Sequence, residues 1–168
     1  MTDTKATFSF ASLDPRAHDR DLFCCGRDTL DRYLKTQAIQ DAKRGYSACF
    51  VAATAEGRIA GYFTLTAYAV SIEDLPQGSR KGLPSRAPVP AALLGRLAVD
   101  KEFQKMGLGA ALLADALDRS ANSPTAAHAL VVAALDDEAA GFYRHFGFLS
   151  YSSSPNHFFL PLAPFRKQ

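Results

Sequence analysis

Apolar positions recur along this chain with two alternating periods, and each change of period marks the passage from strand to helix or back. Residues 7–13 read as a first strand. Across residues 28–43, Leu30, Tyr33, Leu34 and Ala38 fall on one helical face, which Asp28 or Thr29 would cap and Gly45 would end. Residues 46–53 and 58–71 are rich in β-branched and aromatic side chains and are joined by Glu56-Gly57, which predicts an antiparallel hairpin. Residues 75–90 hold four prolines and no hydrophobic period, so a surface loop with freedom to serve a site is expected there. An apolar strand over 93–100, a helix over 108–120, a strand over 127–135, a short helix over 137–146 stopped by Gly147, and a closing hairpin of 148–151 with 157–162 complete the order. With no repeat, low-complexity tract or linker, the 168 residues predict one mixed α/β domain, 1–168. A chain of this length buries roughly two-thirds of its unfolded surface in one core.

The densest chemistry lies in residues 93–116, LLGRLAVDKEFQKMGLGAALLADA, where strand, turn and helix follow without a break. Gly107 and Gly109 remove Cβ atoms where an anion must approach the backbone, and the first turn of the following helix offers free N–H groups backed by the positive end of its dipole. Consecutive amides from Gly107 through Leu108 and Gly109 to Ala110 could then hold a pyrophosphate without a charged side chain. Neither GxGxxG nor a Walker Lys-Ser/Thr is present, which argues against dinucleotide and nucleoside-triphosphate binding.

Composition narrows the setting. The residues are 48% hydrophobic, yet charges interrupt every long run, and the first ten residues lack a basic segment followed by an apolar one, so neither export nor membrane insertion is suggested and a cytoplasmic location is expected. Cys24, Cys25 and Cys49 are odd in number and lack a second Cys/His pair at ligand spacing. Buried thiols are expected, rather than a disulfide scaffold or a metal site.

The string Q-x-x-G-x-G formed by Gln104, Lys105, Met106, Gly107, Leu108 and Gly109 follows Arg96-Leu97-Ala98-Val99 and precedes an amphipathic helix. It resembles motif A of the GCN5-related N-acetyltransferase (GNAT) superfamily, whose loop binds the pyrophosphate of coenzyme A. The resemblance implies an α/β GNAT fold: a mixed, mostly antiparallel central sheet flanked by helices, with the strands at 93–100 and 127–135 splayed to admit the pantetheine arm of acetyl-CoA. It also implies a bulge whose amides at Leu97, Ala98 and Val99 bond that arm. A second segment, Ala139-x-x-Phe142-Tyr143-x-x-Phe146-Gly147-Phe148, is similar to the GNAT stretch whose tyrosine stands near the acetyl-CoA sulfur. Phe142 is expected beside the cofactor. On a helix of 3.6 residues per turn Tyr143 is turned about 100° from Phe142, so it can look out of the core while Phe142 and Phe146 hold the helix down.

Acetyl transfer to an amine passes through a tetrahedral oxyanion and expels a thiolate. Tyr143 is the expected acid for the sulfur, being a phenol that stays protonated at neutral pH. Asp136, Asp137 and Glu138 stand where helix caps and dipole partners belong, which leaves no clear general base. That absence favours an acceptor already partly neutral near pH 7: an α-amine of pKa about 8 rather than a lysine of about 10.4.

The net charge is only +2, but residues 75–99 hold no acid while Arg80, Lys81, Arg86 and Arg96 are basic, an approach on which a phosphate backbone could be steered. Strings spread along the chain sharpen the acceptor: Phe23-Cys24-Cys25-Gly26 with Leu30-Asp31-Arg32-Tyr33-Leu34, then Gly61-Tyr62-Phe63-Thr64-Leu65, Pro88-Val89-Pro90, and Leu94-Gly95-Arg96-Leu97-Ala98-Val99-Asp100. They are similar to the GNAT toxins of bacterial toxin–antitoxin modules, TacT-like and AtaT-like. This implies transfer of acetyl to the α-amine of aminoacyl-tRNA with Tyr143 as catalytic residue. It implies too neutralisation by a DNA-binding antitoxin, commonly of ribbon-helix-helix type, with a homodimer possible and no membrane partner. Lys105-Met106 departs from relatives that have Gly or Arg there, so phosphate contacts by an arginine of the loop are not expected. Alternatives are a GNAT acting on a small amine or a protein N-terminus, and a module that binds acetyl-CoA without turnover.

Overall fold

The computed structural model describes residues 7–168. Seven strands, β1 (Ser9–Ser12), β2 (Ala48–Ala53), β3 (Ile59–Val70), β4 (Val89–Val99), β5 (Ala129–Ala133), β6 (Leu149–Ser150) and β7 (His157–Pro161), form one mixed sheet in the order β1-β2-β3-β4-β5-β7-β6. Four helices accompany it: α1 (Asp28–Thr36), α2 (Ala38–Lys43), α3 (Leu108–Ala121) and α4 (Asp137–His145). β4 runs parallel to β5, and the pairs β1–β2, β2–β3, β5–β7 and β6–β7 are antiparallel. The β4–β5 register covers residues 91–94 against 129–132, and β4 continues to Val99 beyond it.

Two compact units divide the chain, one of residues up to Leu65 with Arg96–Ala116, the other of Thr66–Gly95 with Leu117–Gln168. The first packs Phe23, Tyr33, Leu34, Val51, Ile59 and Tyr62 in its core. Tyr62 is fully buried and its hydroxyl donates to the Leu30 carbonyl at 2.7 Å, which satisfies a polar tip that would otherwise be stranded. The second unit packs Val70, Leu75, Val89, Val131, Tyr151 and Phe159.

The single helix expected over 28–43 is two helices that meet at Gln37. Its cause is competition for carbonyls. Arg20 donates to Leu34 O (3.4 Å) and Lys35 O (3.1 Å), while the Thr36 hydroxyl bonds back to Arg32 O (2.7 Å), a pattern that bends helices. Neither Asp28 nor Thr29 caps α1: the N-cap position is Arg27, whose side chain makes no capping bond, and Asp28 opens the first turn as a dipole partner. β4 starts at Val89, inside the segment expected to be loop, because Val89 and Ala91 are buried while Pro90 is exposed. The rest of that segment includes a short 3-10 turn, Gln77–Ser79.

Gly61 on β3 fits α3 against the sheet. A Cβ there would lie 2.7 Å from Leu112 Cδ1 and 3.0 Å from the Ala98 carbonyl oxygen, and the second of these is backbone that cannot swing aside. Gly61→Ala should therefore destabilise the protein by about 1–3 kcal/mol, read as a lowered Tm, and an unchanged Tm would show that α3 has room to shift.

Candidate active site

The turn after β4 is assembled around one carboxylate. Asp100 is 2% exposed; its Oδ2 accepts from Cys24 N–H at 2.9 Å and its Oδ1 from Glu102 N–H at 2.9 Å, capping the 3-10 turn Lys101–Phe103. Asp31 on α1 accepts from the next amide, Cys25 N–H, at 2.8 Å. The carbonyls of the same two cysteines are taken as well: Lys101 N–H donates to Cys24 O (2.9 Å) and Gln104 Nε2 to Cys25 O (3.2 Å), with a second Gln104 bond to Val99 O (2.9 Å). The segment 24–26 is thus stapled on both edges to the start of the glycine loop.

Past Gln104 the backbone turns through two left-handed residues, Lys105 (φ 65°) and Gly107 (φ 80°), before α3 begins at Leu108. A side-chain-bearing residue rarely adopts that conformation, and here the stapled Gln104 on one side and the buried Leu108 on the other hold it. The first amide to bond within the helix is Ala111 N–H, to Gly107 O at 3.2 Å, so the amides of Leu108, Gly109 and Ala110 have no helical acceptor. Gly107 is exposed and nothing lies within 4 Å of where its Cβ would be. Met106 is 54% exposed beside it. This open row of amides has the chemistry of an anion cradle.

α4 is fixed at both ends. The Asp136 side chain accepts from Ala139 N–H at 2.8 Å as N-cap. At the other end Gly147 (φ 92°) bonds to Arg144 O (3.0 Å) and Phe148 N–H to Tyr143 O (3.1 Å), the paired bonds of a Schellman motif. The apolar contact typical of that motif is Phe148 against Tyr143, ring centroids 5.4 Å apart. The outward-looking tyrosine expected from the helical wheel is accordingly corrected. Tyr143 is 8% exposed, Phe142 half-buried and Phe146 exposed, because Phe148 folds back over the face that Tyr143 occupies. Burial pushes the Tyr143 phenol up to about 12.

The remaining candidates scatter. On β4 Ala98 is buried and Leu97 and Val99 are half-buried. Arg96 lays its guanidinium 3.4 Å over the Tyr33 ring, and the Tyr33 hydroxyl donates to Asp41 at 2.7 Å. Arg80 is spent within its own loop, donating to Leu75 O (2.8 Å) and Glu73 O (3.1 Å). Lys81 and Arg86 are exposed. The thiols are not uniformly buried: Cys49 is, Cys25 is half-buried and Cys24 is exposed. Burial lifts Cys25 to about 11, with the Asp31 hydrogen bond adding to it, and lifts Cys49 to about 12, so neither is a thiolate nucleophile at neutral pH.

The sequence pattern described as the acetyltransferase (GNAT) family matches residues 15–148. The chain belongs to this family. It is 40% identical over 146 residues, 86% of each chain, to a tRNA-acetylating toxin of Mycobacterium tuberculosis (strain ATCC 25618 / H37Rv). It resembles the structure of AtaT complexed with acetyl-methionyl-tRNAfMet, with TM-score 0.83 and 29% identity over 92% of this chain and 95% of that one. It also resembles a tyrosine-to-phenylalanine mutant of AtaT bound to the C-terminus of the antitoxin AtaR and acetyl-CoA, with TM-score 0.77 and 26% identity over 94% and 95% of the two chains.

The glycine loop suits the cosubstrate of this GNAT acetyltransferase. The amides of residues 107–110 would take the pyrophosphate, whose charge the helix dipole favours. Asp31 and Asp100, which sequence reasoning quoted without a role, are what hold that loop; only their presence in the strings Leu30–Leu34 and Leu94–Asp100 hinted at it. Gln104→Met keeps length but removes two bonds of the staple. Acetyl-CoA should then bind about five- to thirtyfold more weakly, since each such bond is worth about 1 kcal/mol and each kcal/mol is about fivefold in affinity. Calorimetric titration checks this, and an unchanged affinity on a folded variant would show that the staple does not shape the cradle.

Proposed function

We propose that this chain is a toxin acetyltransferase that moves acetyl from acetyl-CoA to the α-amino group of aminoacyl-tRNA and so blocks translation. The likeness to a tRNA-acetylating toxin over 86% of both chains carries this reading. The AtaT complex with an acetylated aminoacyl-tRNA supports it. The family match crosses both compact units, which supports treating 1–168 as one GNAT domain. Among the described residues no helix is long and apolar enough to cross a membrane. We place the enzyme in the cytoplasm, with a DNA-binding antitoxin of ribbon-helix-helix type as partner; the AtaT complexes with the antitoxin AtaR and with DNA support an antitoxin partner.

In this reading the cradle of residues 107–110 orients the cosubstrate, the amides of Leu97, Ala98 and Val99 serve its pantetheine arm and the carbonyl oxygen, Phe142 lies beside it, and Tyr143 serves the sulfur. The AtaT mutant that exchanges a tyrosine for phenylalanine supports the last assignment. A phenol near 12 facing a thiolate of pKa about 8.5 gives up its proton at a cost of about 5 kcal/mol. A barrier of about 17 kcal/mol, typical of turnover near 1 per second, accommodates that cost. The hydrogen bond to sulfur that precedes full transfer needs none of it. Tyr143 therefore works first as a donor to developing charge, with the proton following as the bond to carbon breaks.

Tyr143→Phe should lower turnover by about 10² to 10⁴ while acetyl-CoA and tRNA still bind, and expression of the variant should no longer arrest growth. Wild-type rates with a folded variant would assign the sulfur to another donor. A preference for free amines over charged tRNA would instead favour the small-amine reading. The pH profile adds a check. Burial stabilises the neutral phenol, an advantage present in full below about pH 10 and lost as pH rises through about 12. Activity should climb as the acceptor amine loses its proton near pH 8 and then stay level to pH 10. A fall between pH 8 and 10 that Tyr143→Phe abolishes would contradict the raised pKa.

A further inference from the structure

In the second unit an open depression of about 470 Å³ lies between the chain leaving β3 and the chain entering β4; of the residues lining it Ile72 is half-buried and the others are exposed. Ser71, Ile72 and Glu73 line it from one segment, Ser85, Arg86 and Pro88 from the other. The Glu73 wall is built beforehand. Its carbonyl accepts from Arg80 (3.1 Å) and from the Ser152 hydroxyl (3.0 Å), which also donates to Asp74 O (3.1 Å), while the Ser153 hydroxyl donates to the Asp74 carboxylate at 2.6 Å. These bonds order the backbone from which the Glu73 carboxylate projects.

The lining sorts by hydrogen-bond capacity. Glu73 only accepts, Arg86 only donates, the two serines do either, and Ile72 and Pro88 give a planar ring an apolar flank. A nucleotide that presents an amino donor to a carboxylate and carbonyl and phosphate acceptors to a guanidinium is answered by this set; uracil, with a carbonyl in place of the amine, would set an acceptor against the Glu73 acceptor. Unpaired RNA ends are read in this manner, by hydrogen bonds to exposed base edges and stacking on side chains, and a carboxylate accepting from the cytosine amine is a recurrent pairing. The acceptor end common to all tRNAs is an unpaired C-C-A.

We propose that this depression binds an unpaired cytidine nucleotide of the tRNA acceptor end, with Glu73 accepting from the base amine and Arg86 donating to its carbonyl or phosphate. The inference rests on aminoacyl-tRNA being the acceptor. It makes Glu73 and Arg86 determinants of substrate choice that act on the nucleic acid and leave the acetyl-CoA cradle untouched.

The test titrates the full chain with CMP, UMP, AMP and GMP by NMR chemical-shift perturbation and then measures kcat/KM on aminoacyl-tRNAs whose terminal cytidines are changed singly to uridine. CMP should perturb residues around Glu73 and bind at least tenfold more tightly than UMP, and one C-to-U change should lower kcat/KM about tenfold. Glu73→Ala should erase both discriminations while acetyl-CoA affinity stays at the wild-type value. Equal binding of all four nucleotides, preference for GMP, or a Glu73→Ala variant that still tells C from U would overturn the proposal. Acetylation of unmodified aminoacyl-tRNA by the wild type, measured alongside, reports separately on the acceptor assignment: it can succeed while the cytidine site fails.

Discussion

Two carboxylates hold the amides of adjacent residues, and the geometry of the glycine loop depends on that grip. Asp100 takes Cys24 N–H and Asp31 takes Cys25 N–H, so helix α1 and the end of β4 share one turn of chain. A buried carboxylate is costly unless its oxygens are saturated, and Asp100 meets that condition with two backbone amides and the Arg58 guanidinium at 3.5 Å. Charge-assisted bonds of this kind are about twice as strong as neutral ones. The left-handed step at Lys105 is what they support: a local cost of about 1–3 kcal/mol sustained by a network that fixes the residue before it and the helix after it.

A second, independent device fixes the tyrosine. Gly147 permits the helix to end in a left-handed residue, the chain folds back, and Phe148 closes over Tyr143. Position and protonation state then have one origin. The contact that immobilises the ring is the same burial that keeps the phenol neutral, so no charged neighbour is needed to hold the proton in place. The string Phe-Tyr-x-x-Phe-Gly-Phe is in these terms a helix terminator that happens to clamp a phenol.

Most of the element order was legible because periodicity reports burial directly. β2, β3, α3 and α4 lie within a few residues of their expected bounds. The errors fall where a long-range partner overrides local pattern. Arg20 breaks the α1–α2 helix from sequence positions too distant for a helical window to include. β4 extends back through Pro90 because its neighbours are buried, which a count of prolines cannot show. The glycine loop was legible as a loop, and Tyr143 as a candidate, but the face it occupies was not. A helical wheel ends where the helix does, and the residue that decides the matter, Phe148, lies outside it.

The basic residues make the same point about charge. Counting Arg80, Lys81, Arg86 and Arg96 from sequence gives four cations for a phosphate backbone, but the structure commits two of them elsewhere. Arg80 ties Glu73 and Leu75 together, and Arg96 stacks on Tyr33. With roughly 0.7 of a counterion released per phosphate on single-stranded nucleic acid, two cations support a salt slope of about −1 to −2 where four would give about −3. A net charge of +2 over the whole chain offers little more. For the proposed RNA acceptor these four residues would then contribute less by charge than their number suggests and more by shape and hydrogen bonding at an unpaired end, where the proposed role of Glu73 as a reader of base edges would offset its unfavourable charge.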